Sequence, residues 1–176
     1  MINFPVPLLG FAAYSGTGKT TLLRKLIPLL KDKGIRIGMV KHTHHNIDID
    51  QPGKDSYELR KSGTAQMVIA SPKRTSLIVE HTEQEDADLR NALSLLKTDD
   101  LDLVLVEGFK HEEIPKIELH RKVMERPFIY PKDANIIAVV VEEGTTLENA
   151  ENLIQLDFNH PQQIADFIKN NFLKKS

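Results

Sequence analysis

Near the start of the chain, Ala13-Tyr14-Ser15-Gly16-Thr17-Gly18-Lys19-Thr20-Thr21 gathers two glycines, a lysine and several hydroxyls. Glycine at 16 and 18 permits backbone conformations that a side chain would block. Successive N–H groups can then turn inward as an anion-binding nest. A helix beginning near Lys19 adds the positive end of its dipole. The Lys19 ammonium is spaced to reach the β- and γ-phosphates of a nucleoside triphosphate, and the Thr20 hydroxyl to ligate Mg2+. Thr21 is a donor for the α-phosphate. Ser15, Gly16, Thr17, Gly18, Lys19, Thr20 and Thr21 therefore read as a phosphate-binding loop of the Walker A pattern, with Ala13 where that pattern has its first glycine.

A second group completes this chemistry. Leu103-Val104-Leu105-Val106 is an apolar run that ends in Glu107-Gly108. A carboxylate at a strand end beside a phosphate loop holds magnesium-bound water or orients a nucleophile. Glu107 is thus a candidate catalytic and metal-binding residue, and Gly108 lets the chain turn closely past the phosphates. The third group lies in Lys41-His42-Thr43-His44-His45-Asn46-Ile47-Asp48-Ile49-Asp50. Lys41 is a cation for the phosphates. Asp48 and Asp50 alternate around Ile49 and face one side if the segment is extended. Both are candidates for positioning water, and Asp50 joins Thr20 and Glu107 as a candidate Mg2+ ligand. His42, His44 and His45 lack helical metal-ligand spacing and have no cysteine beside them, so a hydrogen-bonding loop is the better reading than a transition-metal site.

These groups need a scaffold. Val6–Ala13 reads as a buried strand and Lys19–Lys33 as an amphipathic helix, kinked at Pro28 and stopped by Gly34. Ile35–Lys41, Leu101–Val106 and Ile136–Val141 read as buried strands, and Leu153–Leu156 as a short last one. Ile114–His120 alternates, which suggests an edge strand. Ala65–Ala70 and Thr75–His81 form a hairpin across Ser71-Pro72. Lys54–Ser62, Asp86–Leu96 and Pro161–Phe172 read as helices. Val- and Ile-rich strands alternating with helices predict an α/β domain with a mainly parallel sheet flanked by helices, plus an added β-hairpin. Ligands of such sheets bind beyond the carboxyl ends of the strands, where Ala13, Lys41 and Glu107 fall.

The 176 residues fit a single domain, 1–176, with a formal net charge of −2 that offers no overall positive field for nucleic acid or an anionic membrane. The basic stretches Lys54–Lys61 and Lys116–Arg126 carry acids as well and read as solvated surface; Arg121 and Arg126 are candidates for contact with phosphate or a partner, with surface the better reading. There is no cysteine. That excludes disulfides and a thiol nucleophile and fits a reducing cytoplasm. No apolar stretch approaches the length of a membrane span, and no signal peptide is evident.

Val40 through His45, Asp48 through Ser56, and Leu105 through Phe109, taken with the loop Tyr14–Thr21 in this order, resemble the MobB family, the molybdopterin-guanine dinucleotide biosynthesis adapter proteins. The resemblance runs from Leu8 to about Val141. It implies a P-loop NTPase-like protein that binds GTP with Mg2+ and hydrolyses it slowly, and that is not itself the guanylyltransferase. It also implies a homodimer that assists MobA in attaching GMP to molybdopterin, with molybdopterin itself a further candidate ligand. The residues alone leave the base open. No Asn-Lys-x-Asp segment follows a strand, and Ile136–Val141 leads instead into Glu142-Glu143-Gly144-Thr145, where a carboxylate can accept from guanine. No obvious cis arginine finger or water-orienting Gln stands out, which fits slow hydrolysis. The alternative is a small-molecule P-loop kinase, which needs an acceptor pocket and an arginine-bearing lid; Lys110–Arg126 is the candidate segment.

Overall fold

The computed structural model describes residues 2–43, 49–81 and 86–174. The chain divides into two compact units, one of residues 1–42 with 88–176, the other of residues 43–87.

The first unit is built on six strands: β1 (Leu8–Ala12), β2 (Ile37–Lys41), β5 (Leu103–Glu107), β6 (Lys116–Leu119), β7 (Ile136–Val141) and β8 (Ile154–Asp157). Their order across the sheet is β2-β5-β1-β6-β7-β8, and every pairing is parallel. Helices α1 (Lys19–Asp32), α3 (Leu89–Ser94) and α4 (Pro161–Phe167) accompany it, and α4 continues as a wider π-helical stretch, Ile168–Phe172. Strands buried on both faces read as continuous apolar runs because each face has its own cover. Leu9, Phe11, Leu103 and Leu105 pack with Leu22, Leu26 and Leu30 of α1 and Ile164 of α4. The alternate residues Leu8, Val104 and Val106 pack with Leu89 and Leu93 of α3. Each fully buried leucine contributes about 1.5–3 kcal/mol, so α1 is held to the sheet by its apolar stripe despite Pro28, which lies inside it without ending it. Asp88 starts α3 by accepting from Asn91 N at 2.7 Å.

One expectation is overturned. β6 is no edge: it sits between β1 and β7, and the sheet ends in β8. Its alternation comes from buried polar groups, not from exposure. Ile117 and Leu119 face the α1 side. The alternate residues Lys116, Glu118 and His120 are 2%, 0% and 8% exposed and each has a partner. Lys116 Nζ donates to Asp133 at 2.7 Å, and Glu118 accepts from Ile129 N and Tyr130 N, both at 2.8 Å. The His120 ring stacks on Phe128 with centroids 3.9 Å apart. Gly10 makes room for this ladder, since a Cβ there would lie 2.8 Å from Lys116 Cγ. Removing one partner of a buried ion pair such as Lys116–Asp133 costs about 3–5 kcal/mol. Burial pushes the Glu118 carboxyl above its ordinary range against the pull of its two N–H donors. The strand therefore fastens the segment 121–133 to the sheet.

The second unit contains α2 (Asp55–Lys61) and the antiparallel hairpin β3 (Gln66–Ser71) and β4 (Arg74–Val79). The hairpin matches the sequence expectation. The solvated-surface reading fails here at Arg60, which is 7% exposed and donates to Glu80 at 2.7 Å beneath the Tyr57 ring.

Arg36 and Asp102 tie the entry of β2 to that of β5 through backbone and side-chain bonds, with Arg36 N and Nε 2.8 and 3.0 Å from Asp102 Oδ2. These bonds hold the Asp102 carboxyl at about 2 against an ordinary 3.8. Because this pKa is depressed, the pair's contribution is present above pH 3.8 and is lost as pH falls toward 2. Side-chain NMR titration will find Asp102 near 2 in the wild type and back near 3.8 in Arg36→Ala.

Candidate functional site: a phosphate loop facing a lysine-flanked carboxylate

The loop between β1 and α1 has the backbone expected of an anion nest. Gly16 and Gly18 take φ of +84° and +97°, a region closed to most side chains. Thr17 is buried, and its hydroxyl donates to Tyr14 O at 2.8 Å, which ties the loop to itself. Its side chain is thus spent on loop geometry. Ser15, Thr20 and Thr21 are exposed on the loop and the first turn of α1. Gly18 is the residue preceding α1; among the described residues no side chain caps the helix, and no acid stands in its first turn. The first-turn N–H groups and the dipole are left for a ligand of negative charge.

Parallel pairing brings the carboxyl ends of three strands to this loop. Register sets Phe11 of β1 and Lys41 of β2 on either side of Glu107 of β5. Glu107 is 7% exposed, and its Oε1 lies 2.9 Å from Lys41 Nζ and 3.8 Å from Lys19 Nζ. Burial and the charge of Lys41 lower the Lys19 pKa, while Glu107 acts in the opposite sense. Lys41 is half exposed. Solvent screens the half-exposed Lys41, so its ammonium can turn to a phosphate, whereas Lys19 and Glu107 are largely buried and Lys19 would exchange one charged partner for another. The chain leaves Glu107 through Gly108, whose φ is +94°; a Cβ there would lie 2.8 Å from His42 Cβ. His42 N donates to Glu107 O at 2.8 Å, and its ring stacks on Phe109. Among the described residues no cluster of three or more His, Cys, Asp or Glu suits a metal ion.

Asp50 belongs to the second unit, where its Oδ1 accepts from Ser56 Oγ at 3.0 Å and from Gln51 N. Its Oδ2 is buried without a hydrogen-bond partner among the described residues. An orphaned hard oxygen of this type suits Mg2+, as do the Thr20 hydroxyl and Glu107 carboxylate. Asp48, His44 and His45 lie outside the described residues.

On the other side of the loop, sequence reasoning preferred solvated surface for Arg121 and Arg126, with Lys110–Arg126 as the candidate lid of the kinase alternative, and did not place Phe158 beside them. Arg121, which follows β6, stacks its guanidinium 4.2 Å over the Phe158 ring. Phe158 follows β8, and a Cβ on Gly18 would lie 3.5 Å from Phe158 Cζ. Arg126 lies 5.9 Å over the Tyr14 ring. The alternation Lys116, Glu118, His120 was the available signal that the segment after β6 is held down. A wide cavity of about 1470 Å³, lined in part by Phe128, Tyr130, Asp133, Ile136 and Ile154, lies instead at the amino ends of β7 and β8. Among the described residues no helix is long and apolar enough to cross a membrane.

A parallel sheet with a glycine nest at the start of α1 and an acid at the end of the neighbouring strand defines a P-loop nucleotide-binding protein. The family profile MobB, molybdopterin guanine dinucleotide synthesis protein B, matches residues 8–142. The chain is 52% identical to the molybdopterin-guanine dinucleotide biosynthesis adapter protein of Escherichia coli (strain K12) over 164 residues, 93% of this chain and 91% of that protein. It is 42% identical to the protein of the same name from Haemophilus influenzae over 171 residues, 96% of this chain and 91% of the other. A crystal structure of molybdopterin-guanine biosynthesis protein B aligns with TM-score 0.66 at 28% identity, covering 92% of this chain and 97% of that one. The chain belongs to the MobB family.

Replacing Glu107 by Gln removes the charge that favours the protonated Lys19. The Lys19 amine should then titrate at lower pH than in the wild type, as read by heteronuclear NMR of the lysine side chains.

Proposed function

We propose that this protein binds GTP with Mg2+ on the Ser15–Thr21 loop and hydrolyses it slowly, in the service of a guanylyltransferase, MobA, that attaches GMP to molybdopterin. As a member of the MobB family, the protein is an adapter in molybdopterin-guanine dinucleotide biosynthesis. The observation that carries the nucleotide reading is the nest at the start of α1 with Lys19 and Lys41 on one carboxylate. Lys19 would hold the β- and γ-phosphates, Lys41 a γ-phosphate oxygen, and Thr21 the α-phosphate. Thr20, Glu107 and Asp50 are the oxygen donors that would hold Mg2+, whose chemistry is to neutralise charge between the terminal phosphates. Glu107, Asp50 and Asp48 would position water. Guanine preference rests on the family likeness.

We take residues 43–87 to be an insertion within one nucleotide-binding domain. A homodimer is the proposed assembly. Supporting it, the hairpin exposes Val68, Ile69 and Leu77, and a free strand edge invites pairing with a second copy. Molybdopterin remains a candidate ligand, nucleic acid and membrane are not proposed partners, and the cytoplasm is the proposed location. The kinase reading has less support, because the wide cavity lies at the opposite ends of the strands from Lys19.

Calorimetric titration with GTP and ATP, run with Mg2+, tests this directly. Wild type should prefer GTP and release phosphate slowly. Lys19→Ala should lose tenfold or more in triphosphate affinity, about 1.4 kcal/mol or more. Glu107→Gln should lower phosphate release more than affinity. Unchanged binding by Lys19→Ala would remove the loop from the account, and phosphate appearing on an added small acceptor would favour the kinase.

A further inference from the structure

The segment that leaves β6 returns across the phosphate loop. His120 N donates to Val140 O at 3.0 Å and Lys122 N to Glu142 Oε2 at 3.3 Å, so the chain around Arg121 is fastened on one side to β7 and on the other to the residue that follows it. From there the Arg121–Arg126 segment meets the loop twice. A Cβ on Gly16 would lie 3.5 Å from Met124 Cε, and Arg126 lies over the Tyr14 ring. Arg121 reaches the loop through Phe158, which abuts Gly18. The buried ladder of Lys116, Glu118 and His120 anchors the chain on either side of the strap.

Arg121 is the odd member of this strap. Its Nε is buried and has no hydrogen-bond partner among the described residues. A buried guanidinium N–H left unpaired is costly, and guanidinium groups are built for bidentate bonds to phosphate. The ring beneath it holds the guanidinium plane and gives Nε no hydrogen-bond acceptor. The one anion this neighbourhood is shaped to receive is the phosphate chain cradled at Gly16 and Gly18. We propose that Arg121 is a phosphate ligand in cis: it binds the oxygens of the nucleoside triphosphate from the side of the loop opposite Glu107 and Lys41. Glu142, in this arrangement, serves to hold the Arg121–Lys122 backbone through one carboxylate oxygen. The assignment rests on the nucleotide reading of the loop and adds to it a cation that closes the phosphates from the β6 side.

The test is titration with GTP of wild type, Arg121→Met and Arg121→Lys, with thermal unfolding of each unliganded protein. Methionine keeps an apolar stem over Phe158 and removes the N–H donors, so Arg121→Met should keep its unliganded midpoint and lose about tenfold or more in GTP affinity. Arg121→Lys, which keeps a positive charge, should bind more tightly than Arg121→Met. The assignment is overturned if Arg121→Met binds GTP as wild type does, if its loss merely tracks a fall in unliganded stability, or if Arg121→Lys binds no better than Arg121→Met. Wild type failing to bind GTP would overturn the nucleotide reading and this assignment together, whereas wild-type binding with Arg121→Met unchanged would overturn this assignment alone.

Discussion

A nearly buried carboxylate held between two lysines is the interaction on which the site depends. Glu107 lies 2.9 Å from Lys41 and 3.8 Å from Lys19, at the carboxyl end of a strand buried on both faces. An ionised group so placed is expensive without partners. Its partners come from β2 and from the first residue of α1, which only parallel pairing with β5 in the middle brings together. Two glycines with positive φ shape the nest that α1 continues, and a third, Gly108, lets the chain turn away past His42. The sheet order, the glycines and the lysines together bring positive charge to where the strands end.

The opposite side of the sheet solves a different problem with the same means. Lys116, Glu118 and His120 are buried polar groups on a central strand, and each is answered by the segment 121–133. Burial holds the His120 pKa below its ordinary value, so the ring favours its neutral form against Phe128. This ladder fixes the strap that passes over the phosphate loop. Stability of the sheet and the approach of Arg121 to the loop are therefore linked through one strand.

Much of this was legible in the sequence, for physical reasons. Glycine spacing around Lys19 and the apolar run into Glu107 are dictated by backbone conformation and by burial on both faces, and such constraints leave a local pattern. The hairpin across Ser71-Pro72 was equally local. The position of β6 was not. Alternation of polar and apolar residues signals one wet face unless every polar group has a buried partner, and those partners lie 8 to 17 residues further on. Arg60 escaped for the same reason, its carboxylate being 20 residues away at Glu80. Arg121 reads as a surface cation until Phe158, from the end of β8, is placed beneath it.

The central claim is that Lys19, Lys41 and Glu107 are a charge cluster assembled for a triphosphate with its metal ion. A crystal structure with Mg2+ and a non-hydrolysable GTP analogue tests it most directly. The account predicts phosphates seated on the N–H groups of Gly16 through Thr20, with Lys19 turned from Glu107 to a β- or γ-phosphate oxygen and Glu107 facing the metal ion's water. A nucleotide bound elsewhere, with the Lys19–Glu107 and Lys41–Glu107 contacts intact, would contradict it.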